Sequence, residues 1–325
     1  MVCWFHFVHF NPYISDGPLR ISGAYGYLGV EVFFVISGFV IPYALHRSSY
    51  QIKHYGTFLI KRLLRLNPPY YAAIAFILGV GLLSSFIPGF KGEPFQLSPR
   101  QLLLNLTYTA DIFKGHWLNY VFWTLAIEIQ YYLLIGLIYP AIASRNPAFR
   151  LLSCLSLSAL AFLLPSASFV FHFLFLFLFG ILTFQYEAGL LEKRNYLVLM
   201  ALCGCGIFFT LGLAEMVAGL LTALIIAFVP LQGKLLQFFG DISYSLYLLH
   251  MPIYPKVFNI VMRFINGEVG IFVALLLSLG LTIGAAYLLY RLVELPAQRW
   301  SSAVRYRASK PNESGESELG VQTAV

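Results

Sequence analysis

Long apolar runs return from one end of this chain to the other. Residues 23–45, 69–90, 118–143, 150–164, 167–186, 195–214, 216–231, 241–265 and 270–293 form nine full hydrophobic segments, of which 150–164 and 216–231 are short. A partial segment, MVCWFHFVHF, opens the chain and leads into the turn-like NPYISDGP. A bilayer core needs about 20 apolar residues per helix, whereas barrel strands read as short alternating stretches. The runs therefore specify an all-α, polytopic integral membrane helical bundle of about ten transmembrane helices. Ten residues of helix rise about 15 Å, roughly half the bilayer core, so the first helix is expected to be truncated. Residues 101–113 are too short to span. With 11% charged residues and a mean hydropathy of +0.76, the chain is far from a soluble domain, which carries about 25% charge.

The net charge of +7 reads as topology. If the segments alternate from a cytoplasmic start, 15 of the 21 Lys and Arg residues fall on the cytoplasmic side, the bias of the positive-inside rule. Both termini are then cytoplasmic, and no basic tract points to nucleic acid. The four cysteines sit in apolar runs with no CxxC and no His/Cys cluster at metal spacing, so they read as packing residues and no metal is expected. Residues 308–325, ASKPNESGESELGVQTAV, are polar and aperiodic. The expected division is a transmembrane domain over 1–300 and a disordered cytoplasmic tail over 301–325.

Against this background the intramembrane polar groups stand out. A charge at membrane depth costs about 2.5–3.5 kcal/mol on insertion scales, so such groups are functional candidates by default. Glu31 interrupts GYLGVEVFFVISGFVIPYAL (26–45) about eight residues into its segment. His6 lies about five residues before the turn that precedes that segment. A hairpin would bring the two to similar depth, where a carboxylate would orient an imidazole acting as general base. The same pair would serve equally as a structural hydrogen bond. Glu215 falls in a tight link and is expected to be exposed.

Glu128 sits mid-segment in FWTLAIEIQYYLL, with the hydroxyls of Thr124, Tyr131 and Tyr132 at helical spacing. In GDISYSLYLLHMPIY, Ser243, Tyr247, His250 and Tyr254 fall at i, i+4, i+7 and i+11, a polar stripe aimed at a cavity or at a neighbouring helix. Asp241 is placed to cap that helix. In FLIKRLLRLNPPYY, Lys61, Arg62 and Arg65 cluster positive charge, suited to lipid anchoring or to a phosphate-rich cytoplasmic ligand.

Taken together, these stretches resemble the membrane-bound acyltransferase 3 family of O-acyltransferases over nearly the whole chain. WFHF (4–7) looks like the end of the family's first helix, with its histidine at His6, and GYLGVEVFFVISGFVIP like its second-helix signature. KRLLRLNPPYY matches the Arg-x-x-Arg segment at Arg62 and Arg65, and WTLAIEIQYYLL the Trp-Ser-Leu-x-x-Glu pattern, with Thr124 for serine. ISYSLYLLHMPI and LVELPAQRW match the late signatures. A family arginine ahead of the histidine falls before Met1.

The resemblance implies transfer of an acyl group, usually acetyl from acetyl-CoA, to a carbohydrate hydroxyl in a bacterial inner (plasma) membrane. No bound cofactor is implied; acyl-CoA is the donor substrate. His6, Glu31 and Glu128 would be catalytic, Arg62 and Arg65 would hold the CoA phosphates, and Ser37, Ser243, Tyr247 and His250 would line the cavity. Two alternatives remain open: a secondary transporter using Glu and His as a proton relay, and an inactive, N-terminally short family member.

Overall fold

The computed structural model describes residues 1–86, 96–230 and 232–306. Among them there are helices and no strand: α1 (Val2–Val8), α2 (Pro18–Gly23), α3 (Gly29–Arg47), α4 (Tyr55–Ser85), α5 (Pro99–Leu106), α6 (Phe122–Ile142), α7 (Pro147–Leu163), α8 (Leu174–Glu187), α9 (Lys193–Thr210), α10 (Leu213–Phe228), α11 (Lys234–Phe264), α12 (Gly267–Leu289) and α13 (Leu295–Ala303). The protein is an all-α polytopic membrane bundle. Five helical stretches are long and apolar enough to cross a membrane: Pro18–Arg47, Ile52–Ser85, Phe122–Ile142, Val170–Glu187 and Gly267–Ala303. The shorter apolar helices α7 and α10 are the two segments whose shortness the sequence marks. The expected tail lies outside the described residues from 307 onward, while α13 carries the bundle past residue 300 to Ala303.

The centre of the bundle is α8. Every residue from Leu174 to Gln185 is buried, as befits a helix that is apolar all round. It crosses α3 at glycines. A Cβ on Gly180 would stand 2.2 Å from the Val35 carbonyl oxygen, and one on Gly38 would stand 2.3 Å from that of Phe177. Small residues at such a crossing let two backbones touch, which is how membrane helices gain packing energy without a hydrophobic driving force. Large apolar side chains such as Leu83, Phe209 and Leu292 remain exposed; in a bilayer these faces meet lipid.

Prolines inside the helices leave carbonyls without their usual N–H partner, and the fold supplies substitutes. Pro140 frees the carbonyl of Gly136, which accepts from the Tyr50 hydroxyl at 2.7 Å. Pro252 frees that of Leu248, which accepts from Asn119 Nδ2 at 3.1 Å. Both helices continue through their prolines. So does α4, which passes Pro68 and Pro69 and begins at Tyr55 rather than near 69. The basic cluster 61–65 is therefore part of a long helix. In the same way α11 begins at Lys234, so Asp241 is an exposed interior residue and not a cap.

Candidate active site

One contact joins α1 to the middle of α11. His6 on α1 and His250 on α11 are both buried, and His250 Nε2 lies 3.1 Å from His6 Nδ1. The other nitrogen of His250, Nδ1, is 2.7 Å from the Tyr247 carbonyl. A carbonyl only accepts, so Nδ1 carries the proton and Nε2 of the neutral ring accepts. His6 Nδ1 must then be the donor, which agrees with its second partner, the Val2 carbonyl at 3.0 Å. This assignment by partners leaves His6 Nε2 with the free lone pair. The neighbouring turns hold the rings in place: Phe7 packs on Tyr254 at 4.9 Å.

Glu31 does not meet His6. The hairpin does form, but its register is set by glycines. A Cβ on Gly23 would clash with Val8, one on Gly26 with Met1 and Phe5, and one on Gly29 with Val2. His6 is thus level with residues near 24, while Glu31 lies beyond Met1. Residues 18–23 form a separate short helix, so Glu31 falls in the first turn of α3 rather than mid-helix. A carboxylate there is favoured by the helix dipole. Its Oε2 is buried with no hydrogen-bond partner among the described residues. Glu215 is half-buried in the first turn of α10 and accepts from the Tyr27 hydroxyl at 3.2 Å, so it is not a free link residue.

The stripe of α11 faces α1 and α6. The hydroxyls of Tyr247 and Thr124 share a hydrogen bond at 2.7 Å. Both line a mostly apolar cavity of about 340 Å³, together with Val30 and Phe33 of α3 and the exposed Ser243. Ser37 is buried elsewhere on α3 and does not line it. One turn along α6 from Thr124 is the buried Glu128, and one turn further is Tyr132, whose hydroxyl donates to Glu128 Oε1. The other two hydroxyls at helical spacing turn away. Thr124 points to Tyr247, and Tyr131 stacks on Phe177 at 4.0 Å with its hydroxyl unpartnered among the described residues.

Glu128 has no ion pair; among the described residues the one ion pair is Arg20–Asp16. The nearest cation on its line is Arg62, whose guanidinium lies over the Tyr132 ring at 5.7 Å and the Phe58 ring at 5.4 Å. From Thr124 to Tyr132 is about 12 Å of helix. Polar groups therefore run through the bundle from the histidine pair to Arg62. Arg62 and Lys61 line a second cavity of about 390 Å³ at that end, whereas Arg65 is exposed and outside it. No group of three His, Cys, Asp or Glu residues able to hold a metal ion occurs among the described residues.

The acyltransferase domain family matches residues 1–291. The chain belongs to the acyltransferase 3 family. It is 27% identical over 330 residues to the O-acetyltransferases OatA of Staphylococcus aureus strains NCTC 8325 / PS 47 and COL, covering 84% of this chain and 53% of each relative. The chain thus spans about half the length of the curated relatives it matches. No solved structure matches it.

One charged residue of this acyltransferase 3 chain escapes a reading by hydrophobic segments. Glu294 closes a short π-helical stretch, Tyr290–Glu294, and is buried. It accepts from Ser245 at 2.6 Å and from Gln298 at 3.1 Å. A segment ending at 293 leaves it just outside the membrane list. The usable signal was LVELP, a carboxylate set directly after an apolar run; the π-helical turn that the structure places there is a departure from regular helix geometry of a kind often found at functional sites.

Proposed function

We propose that the protein is an integral membrane O-acyltransferase that moves an acyl group, acetyl in the simplest case, from acyl-CoA to a carbohydrate hydroxyl. The reading rests on family membership and on one observation, the hydrogen-bond chain Tyr247 carbonyl–His250–His6 that leaves His6 Nε2 as a lone-pair acceptor. Nε2 takes the proton of the acceptor hydroxyl. The oxygen attacks the thioester carbonyl, the C–S bond breaks, and the proton passes to the departing thiolate. His250 takes the orienting role that spacing assigned to Glu31. Glu128 and Tyr132 form the polar lining between the histidines and the basic end, where the donor phosphates would bind. The O-acetyltransferase name of the relatives supports the reaction class, and the positive-inside bias supports an orientation with both termini cytoplasmic.

The test uses membranes carrying the chain, radiolabelled acetyl-CoA and a carbohydrate acceptor pool. Label should enter the carbohydrate, fall by about 10²–10⁴ in His6→Ala and fall less in His250→Ala, which leaves the Val2 contact in place. Equal labelling by wild type and His6→Ala at equal expression would remove His6 as the base.

A further inference from the structure

Residues 107–121, between α5 and α6, form no helix, yet they meet the bundle far from the end of α4. The Tyr70 hydroxyl donates to the Asn105 carbonyl at 2.8 Å, the Tyr71 hydroxyl to that of Leu106 at 3.3 Å, and the Tyr108 hydroxyl to Asn67 Oδ1 at 3.0 Å. Tyr70 is the midpoint of α4, so about 22 Å of helix lies between these contacts and Ser85. The segment is held in one shape. Asn105, fully buried, donates to the His116 carbonyl at 3.0 Å and accepts from the Leu118 N–H at 2.9 Å. Tyr108 stacks on Tyr70 at 4.4 Å. Tyr108 (φ 59°) and Lys114 (φ 51°) are two of the three non-glycine residues with positive φ among the described residues. That conformation persists only where the surroundings impose it, and it gathers at functional sites.

Irregular backbone at membrane depth is tolerated only where protein buries it or where it lines water. Tyr108, Ala110 and Asn119 are buried, whereas Lys114, His116 and Tyr120 are exposed. A cation facing lipid is costly, so the free face of the segment lines water. The segment also adjoins the histidine pair. Asn119 Nδ2 donates to the Leu248 carbonyl at 3.1 Å, and the Val121 carbonyl accepts from the Tyr247 hydroxyl at 3.0 Å. Tyr120 therefore lies between two anchors to the turn of α11 that leads into His250. It is 68% exposed, and its side chain has no hydrogen bond or ring contact among the described residues. On the same loop Trp117 Nε1 donates to Asp111 Oδ1 at 2.9 Å, which leaves the second carboxylate oxygen as an acceptor.

We propose that residues 107–121 wall a water-filled vestibule beside His6 and His250, and that Tyr120 is the platform on which a sugar ring of the acceptor stacks. A sugar presents a C–H face that fits an aromatic ring, and hydroxyls at its edge for polar groups such as Asp111. The proposal rests on the O-acyltransferase reading above and names the part of the chain that selects the acceptor.

The experiment separates the vestibule, the platform and the reaction. The full chain in nanodiscs carries His116→Cys, which keeps the backbone carbonyl that Asn105 holds, and is treated with a charged, membrane-impermeant thiosulfonate. Labelling above that of the unsubstituted chain is expected, and none for Leu202→Cys, exposed midway along α9. A carbohydrate acceptor pool should slow the labelling severalfold. Tyr120→Ala should abolish that protection, and Tyr120→Phe should keep it. In acetyl transfer, Tyr120→Ala should raise the half-saturating acceptor concentration about tenfold and leave that of acetyl-CoA unchanged. No labelling of His116→Cys overturns the vestibule and makes the segment a lipid-facing one. Labelling without protection by carbohydrate, or protection indifferent to Tyr120→Ala, overturns the platform. Protection through Tyr120 with no acetyl transfer keeps this site and removes the reaction proposed above.

Discussion

Gly180→Ala tests the packing on which the whole arrangement depends. The added methyl would lie 2.2 Å from the Val35 oxygen and 2.5 Å from both Gly38 C and Phe39 N. All three are backbone atoms, so no side chain can rotate aside. An ordinary carbon–oxygen contact is about 3.3 Å, and the two helices must therefore separate by about 1 Å. Overpacking of this kind costs about 1–3 kcal/mol. A gap of 0.5–1 Å also forfeits about a quarter to a half of each dispersion contact along the crossing. The sum is about 3 kcal/mol or more, equivalent to a Tm lower by about 6 °C or more. The assay is thermal unfolding of the purified protein in detergent or nanodiscs, with Gly79→Ala beside it. A Cβ on Gly79 meets nothing within 4 Å, so that variant should keep or slightly raise Tm through helix propensity. Because α3 also supplies Val30 and Phe33 to the cavity beside Tyr247, Gly180→Ala should impair labelled acetyl transfer as well. A Gly180→Ala protein with wild-type Tm would refute the close crossing and the reasoning built on it.

Tyr50→Phe leaves the Gly136 carbonyl without a donor, which should cost about 1–3 kcal/mol in thermal unfolding. In a Pro140→Ala background, where the helix supplies its own N–H, the same substitution should cost much less, and a strictly additive double variant would contradict this account. Asn119→Ala should behave as Tyr50→Phe does, through the Leu248 carbonyl. Glu128→Gln preserves shape and can still accept from Tyr132, so folding should survive while acetyl transfer drops at least tenfold; full transfer would make Glu128 a structural residue.

The class of the molecule was legible in the chain alone. Runs of apolar residues with scattered single charges leave a chain no stable option but helices in a bilayer, because every backbone polar group must be paired within its own segment. The chain also marked most of the candidate residues of the site, since a polar group at membrane depth is conspicuous one residue at a time. His6, Glu128, Arg62, Tyr247 and His250 were all legible on that basis, and the stripe on α11 followed from helical spacing alone.

Pairing is another matter, because it depends on register and on which faces meet. Segment counting put Glu31 level with His6, but the fit of Gly23, Gly26 and Gly29 against α1 slides it past. The partner of His6 is instead 244 residues away, a separation across which no local period carries information. The basic cavity shows the same limit. Lys61 and Arg62 are visible as a cluster, yet the fold alone brings Arg305 and Tyr306 to them and leaves Arg65, one turn along the same helix, outside. Side-chain type is written in the chain, while the contacts that give a side chain its role are fixed by close packing between helices, to which tenths of an ångström at a glycine decide the answer.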